Sequence, residues 1–109
     1  MPCSLWRPCA LLLSVLPGTA VAGPAAEAAI APATVAVLAA TCVSCHGPGG
    51  HSSTDIPSIA GQSESRLRAR LLAFRNGTAP DATIMTRLMK GYDEAQIAAL
   101  ARWFAQERQ

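Results

Sequence analysis

Cys42-Val43-Ser44-Cys45-His46 is a C-x-x-C-H run, and its reading decides the fold. On a helix these residues stand at offsets 0, +3 and +4, so both sulfurs and the imidazole share one face. That geometry suits covalent attachment of a c-type haem. Two thiols add across the two vinyl groups of the porphyrin, and the residue that follows lies under the iron as its proximal ligand. Two other chemistries use similar spacing. A redox C-x-x-C belongs in a βαβ context, which this sequence lacks. A tetrahedral zinc site needs four ligands, and only His51 stands nearby beyond Cys42, Cys45 and His46. Haem attachment is the reading that the residues favour.

Working outward from this run, the N-terminal side is an export signal rather than structure. Arg7 supplies a positive region, Ala10 to Leu16 an apolar one, and Ala20-Val21-Ala22 a small-residue cleavage site before Gly23. Pro17-Gly18 breaks the apolar run well short of the ~20 residues a membrane span requires. Residues 1–22 are therefore expected to be removed, and the mature chain to be periplasmic without a membrane anchor. Of the four cysteines, Cys3 and Cys9 leave with the signal, so Cys42 and Cys45 become the only pair, in a compartment that permits oxidative thiol chemistry. What remains is one small domain with a limited core, which a large apolar cofactor would help to close. A formal net charge of +2 on 109 residues gives no support to nucleic-acid binding.

Residues 23–33, rich in Ala and Pro, read as a loose leader before a domain spanning 34–109. From Thr34 to about Cys45 the sequence tolerates a helix, with Val35, Leu38 and Cys42 on one face. Gly47-Pro48-Gly49-Gly50 ends it. Ser63 can cap a second helix of about Glu64 to Arg75, with Leu67, Leu71 and Phe74 inward, and Asn76-Gly77 stops it. Asp93 caps the last helix, with Gln96 completing a capping box and Ile97, Leu100, Ala101 and Phe104 forming the buried stripe. The spacing predicts an all-α domain with no strands.

An iron held by His46 on one face needs a ligand on the other. His51 follows His46 too closely to wrap the macrocycle at ~3.3 Å per residue, and reads as a surface loop histidine. Met85, in a region expected to be a loop far downstream, is the favoured ligand. Met89, four residues on, is the alternative and could instead pack as core.

With these residues in place, the sequence resembles the class I c-type cytochromes over nearly all the mature chain. The matching stretches are Cys-Val-Ser-Cys-His-Gly, Pro-Ser-Ile-Ala-Gly-Gln at 57–62, Leu-Leu-Ala-Phe-Arg-Asn-Gly at 71–77 and a final Ala-Arg-Trp-Phe helix. The Ala-Gly-Gln and Phe-Arg-x-Gly elements are similar to one half of a cytochrome c4. The run Thr83-Ile84-Met85-Thr86-Arg87-Leu88-Met89-Lys90-Gly91-Tyr92 most resembles the haem subunit of flavocytochrome c sulfide dehydrogenase. A single C-x-x-C-H excludes a whole di-haem c4.

The resemblance implies a class I cytochrome c fold, three main helices around one covalent haem c. It implies Met85 as distal ligand, and Pro57 as the residue whose carbonyl accepts the His46 Nδ1 hydrogen bond. It further implies a redox partner, a flavoprotein subunit oxidising sulfide. The expected function is single-electron transfer in the periplasm as the electron-accepting subunit of that enzyme. The alternatives are a free shuttle between respiratory complexes, and a haem enzyme or gas sensor with an open iron position. Arg66, Arg68, Arg70 and Arg75 read as a solvated helix face, and Arg87 with Lys90 as guides toward an acidic partner.

Overall fold

A computed structural model describes residues 29–107. The expected signal peptide, 1–22, lies outside the described residues, as do Cys3, Cys9 and most of the leader. Four helices, α1 (Pro32–His46), α2 (Glu64–Asn76), α3 (Ile84–Leu88) and α4 (Glu94–Gln106), follow in order, with single 3₁₀ turns at Pro48–Gly50 and Met89–Gly91. There is no strand among the described residues, as the spacing predicts.

Each helix begins and ends for local reasons. Helix α1 starts at Pro32, inside the stretch expected to be a loose leader, because proline at a first-turn position has no N–H to leave unpaired. It runs one residue further than expected and carries His46 as its last residue. Its inward face includes Ala39, 3% exposed, while the expected Leu38 is only partly buried. At α2 the Ser63 hydroxyl accepts the Arg66 N–H at 3.3 Å, Glu64 sits in the first turn and Arg75 in the last, each favourable to the helix dipole. Gly77 stops α2 in the left-handed region (φ 71°), its N–H turned back to the Ala73 and Phe74 carbonyls. Helix α4 has the full capping box: the Gln96 N–H donates to the Asp93 carboxylate at 2.8 Å, and the Gln96 amide oxygen accepts the Asp93 N–H at 3.0 Å.

The core has two parts joined by α4. Ala39, Leu67, Leu100, Ala101 and Phe104 form one; Phe74, Ala79, Met89 and Ile97 form the other. Helix α1 packs on α4, while α2 packs on α4 and α3; α1 has no substantial interface with α2 or α3. The two sides meet on α4, where Ala39 of α1 and Leu67 of α2 share the first part of the core. One polar strut also joins them. The Thr41 hydroxyl donates its single hydrogen to the Leu38 carbonyl at 2.7 Å, so at 2.9 Å the Tyr92 hydroxyl must be the donor to Thr41 Oγ1.

The loop beyond α1 leaves and returns at one residue. The Gly50 carbonyl accepts the N–H groups of Ile59 (2.9 Å) and Ala60 (3.2 Å), and the Gly61 N–H reaches the Phe104 carbonyl at 3.0 Å. Gly50 has φ +84°, and a Cβ there would lie 2.9 Å from both Ile59 and Phe104 side-chain carbons. Gly77 also has positive φ, but nothing lies within 4 Å of its Cβ position. Gly77→Ala should therefore cost only the backbone strain, about 1–2 kcal/mol. Gly50→Ala adds overpacking of about 1–3 kcal/mol, and denaturant midpoints of the haem-bound protein should separate the two variants in that order.

Candidate haem site

Helix α1 delivers its chemistry at its last turn. Cys42 is half-buried, packed against the first core cluster, and Cys45 is exposed. Neither is bridged. Burial pushes the Cys42 thiol up, with a side-chain hydrogen bond involving Thr41 acting in the opposite direction.

His46 is 8% exposed, the one buried polar side chain among the described residues. Its Nδ1 lies 2.6 Å from the Pro57 carbonyl oxygen. A carbonyl can only accept, so Nδ1 carries the proton and, in the neutral ring, Nε2 keeps a bare lone pair. No partner of Nε2 occurs among the described residues, and no buried side-chain nitrogen or oxygen there is unsatisfied. Nε2 must therefore reach the molecular surface. An oriented imidazole with a free, outward lone pair, on the same helix turn as two thiols, fits covalent haem with one axial nitrogen. Among the described residues no three His, Cys, Asp or Glu side chains come together in a way that could hold a metal ion by themselves.

The two methionines separate sharply. Met89 is 2% exposed, locked with Phe74, Ala79 and Ile97. Met85 is only partly buried against that cluster. Met85 does not lie in a loop, as the sequence suggested, but in the five-residue helix α3, which has no side-chain cap. Packing of Met85 and Met89 on the core, and a bond from the Thr86 hydroxyl to the Ala82 carbonyl (3.2 Å), sustain a helix whose propensity alone is marginal. His51 is half-buried, its backbone N–H closing the 3₁₀ turn on Pro48 at 3.0 Å. An open groove of about 490 Å³ along α2, lined by Glu64, Ser65, Arg68, Ala69 and Leu72, contains none of these site residues.

The arginines are more structural than expected. Arg70 pairs with Asp81, holding that carboxyl below its usual value, and stacks 4.5 Å from the Phe74 ring centroid. Arg75 meets Glu94 at 3.5 Å and Arg102 meets Glu64 at 3.6 Å, tying α2 to α4. Arg66, Arg68, Arg87 and Lys90 form no ion pair with any described residue. Beside the last two, Ile84 (63% exposed) and Leu88 (55%) stand one helical turn apart on α3.

The family model for cytochrome c matches residues 32–106, which takes in α1 through α4. The chain belongs to the cytochrome c family. The cytochrome is 40% identical over 97 residues to the cytochrome subunit of sulfide dehydrogenase from Chlorobaculum tepidum, covering 86% of this chain and 87% of that one. It is 33% identical over 70 residues to cytochrome c-554(548) from Halomonas halodenitrificans, covering 62% and 84%. It is also 36% identical over 67 residues to a thiosulfate dehydrogenase electron acceptor from Stutzerimonas stutzeri, of which it spans only 31%. The cytochrome thus carries covalent haem c and transfers electrons, in the all-helical fold described above. Among the described residues no helix is long and apolar enough to cross a membrane.

Proposed function

We propose that Cys42 and Cys45 carry the thioether links, that His46 Nε2 and the Met85 sulfur are the two axial ligands, and that the Pro57 carbonyl holds the His46 ring. The observation that carries this reading is the 2.6 Å contact from His46 Nδ1 to Pro57, which leaves Nε2 as the free donor atom. Met85 is preferred to Met89 because Met89 is committed to the core, whereas Met85 keeps an accessible side. Haem c, when bound, supplies a one-electron ferrous/ferric couple. His46 and Met85 would hold the iron and leave no position for substrate, and Cys42 and Cys45 would keep the cofactor attached. That arrangement suits electron transfer and argues against an enzyme or gas sensor with an open position.

Residues 1–22 would direct export and be removed, placing the mature protein in the periplasm. Its donor in this reading is a flavin-containing sulfide dehydrogenase subunit; the Chlorobaculum tepidum relative, similar along most of both chains, supports it. Electrons would enter through the α3 face, where exposed Ile84 and Leu88 share a short segment with Met85, Arg87 and Lys90. An apolar patch with a basic rim fits an acid-rimmed partner and steers its approach.

Two results are expected. Met85→Ala should remove the ferric sulfur-to-iron band in the near-red, admit cyanide or carbon monoxide, and lower the reduction potential, because a thioether favours the ferrous state. Met89→Ala should leave these unchanged and cost about 2–5 kcal/mol of stability. If Met89→Ala abolishes the band and Met85→Ala keeps it, the ligand assignment is wrong. For the partner, sulfide and the co-purifying flavoprotein should reduce the cytochrome, and charge reversal at Arg87 and Lys90 should slow a salt-sensitive association step. Reduction with thiosulfate and its dehydrogenase instead would move the donor to the class of the Stutzerimonas stutzeri relative.

A further inference from the structure

The Pro57 carbonyl is an exposed-loop group asked to hold a buried ring. Residues 53–58 are exposed and belong to no helix or strand. Proline's ring fixes its own φ and supplies no N–H, so Pro57 cannot anchor itself. What restrains it lies on either side of the next residue. Ser58 Oγ accepts the Ser52 N–H at 2.8 Å, across the neck of the loop. The Gln62 side-chain amide donates from Nε2 to the Ser58 carbonyl at 2.7 Å. The peptide that follows is held at its other end by the Ile59 N–H bond to the Gly50 carbonyl at 2.9 Å. Ser58 is thus fixed through its side chain, its carbonyl and the next N–H. The Pro57–Ser58 peptide, which bears the oxygen bonded to His46, has little freedom left between a locked proline φ and a locked Ser58.

We infer that Gln62 and Ser58 are positioning residues that press the Pro57 carbonyl onto His46 Nδ1 and thereby set the reduction potential of the haem iron. This rests on the reading of His46 as proximal ligand. The physical link is the basicity of the imidazole. A short, well-aligned Nδ1–H···O=C bond pushes electron density into the ring, makes Nε2 a stronger donor and favours the ferric state. Releasing Ser58 lets the peptide rotate, lengthens that bond and weakens the donor. The potential then rises. Removal of either side chain leaves the haem attachment residues and both axial ligands in place, so the effect is electronic tuning rather than loss of the cofactor.

The test uses the haem-bound protein and two readouts, the midpoint potential and the proton NMR signal of His46 Nδ1–H. In Gln62→Ala and Ser58→Ala the ferrous-to-ferric ratio at fixed ambient potential should rise several-fold, toward the tenfold that corresponds to ~59 mV for one electron. The Nδ1–H should exchange faster with deuterated solvent. Ser58→Thr keeps a hydroxyl acceptor and should restore both values. In the ferric wild type a hyperfine-shifted His46 Nδ1–H must be present, and its absence overturns the proximal-ligand reading itself. If that signal is present and the potential stays fixed or falls in Gln62→Ala and Ser58→Ala, the positioning proposal is overturned while the ligand reading stands.

Discussion

The hydrogen bond between His46 Nδ1 and the Pro57 carbonyl is the constraint from which the site follows. It joins the last residue of α1 to the loop at Pro57, and it decides the tautomer of the ring. A histidine ending a helix has many rotamers open to it. This one is buried and single-bonded to a carbonyl, so its second nitrogen can point only outward. The loop in turn is tied at Gly50, whose carbonyl takes two N–H groups and whose missing side chain lets Ile59 and Phe104 close in. Because Phe104 belongs to α4, the orientation of one imidazole is coupled to the packing of the C-terminal helix.

Helix α4 plays the central mechanical part. Ile97 is fully buried and Leu100 nearly so, and the two sit in different halves of the core, one shared with the cysteine helix and one with the methionine segment. Helix α1 and the α2–α3 side are registered through α4, through Ala39 and Leu67 in one shared cluster, and through the Tyr92–Thr41 hydroxyl pair. Two methionines stand one turn apart: Met89, in the 3₁₀ turn that follows α3, fills the core, while Met85 on α3 is only partly buried.

Much of this was legible in the sequence where a residue's chemistry acts locally. C-x-x-C-H, the Ser63 and Asp93 caps and the Gly77 stop each depend on neighbours within a few positions, and each stands where the residues placed it. The misses share a cause. Helix α3 has no capping residue and only five residues, so it exists through packing that no local pattern reveals. Ala39 faces inward because α4 approaches closely there, and alanine has too little hydrophobicity to register in a periodicity. The role of Gly50 required knowing that Phe104 returns to it from far along the chain. Gln62 and Ser58 were visible as a Pro-Ser-Ile-Ala-Gly-Gln string, but their bonds to Ser52 and to each other depend on the closed loop. Arg70 and Arg75 looked like solvent-facing charges until their acidic partners were brought across from the 79–83 loop and α4.

Which side chains meet the iron is the central question of the site. Selective carbon-13 labelling of methionine methyl groups, followed by NMR of the reduced, diamagnetic haem-bound protein, reads this without mutation. A methyl bonded through sulfur to haem iron lies over the porphyrin and moves far upfield. The expected result is that one methionine methyl is so shifted and that it assigns to Met85, with Met89 near its ordinary position. Assignment of the shifted signal to Met89, or the absence of any shifted methionine, would contradict it.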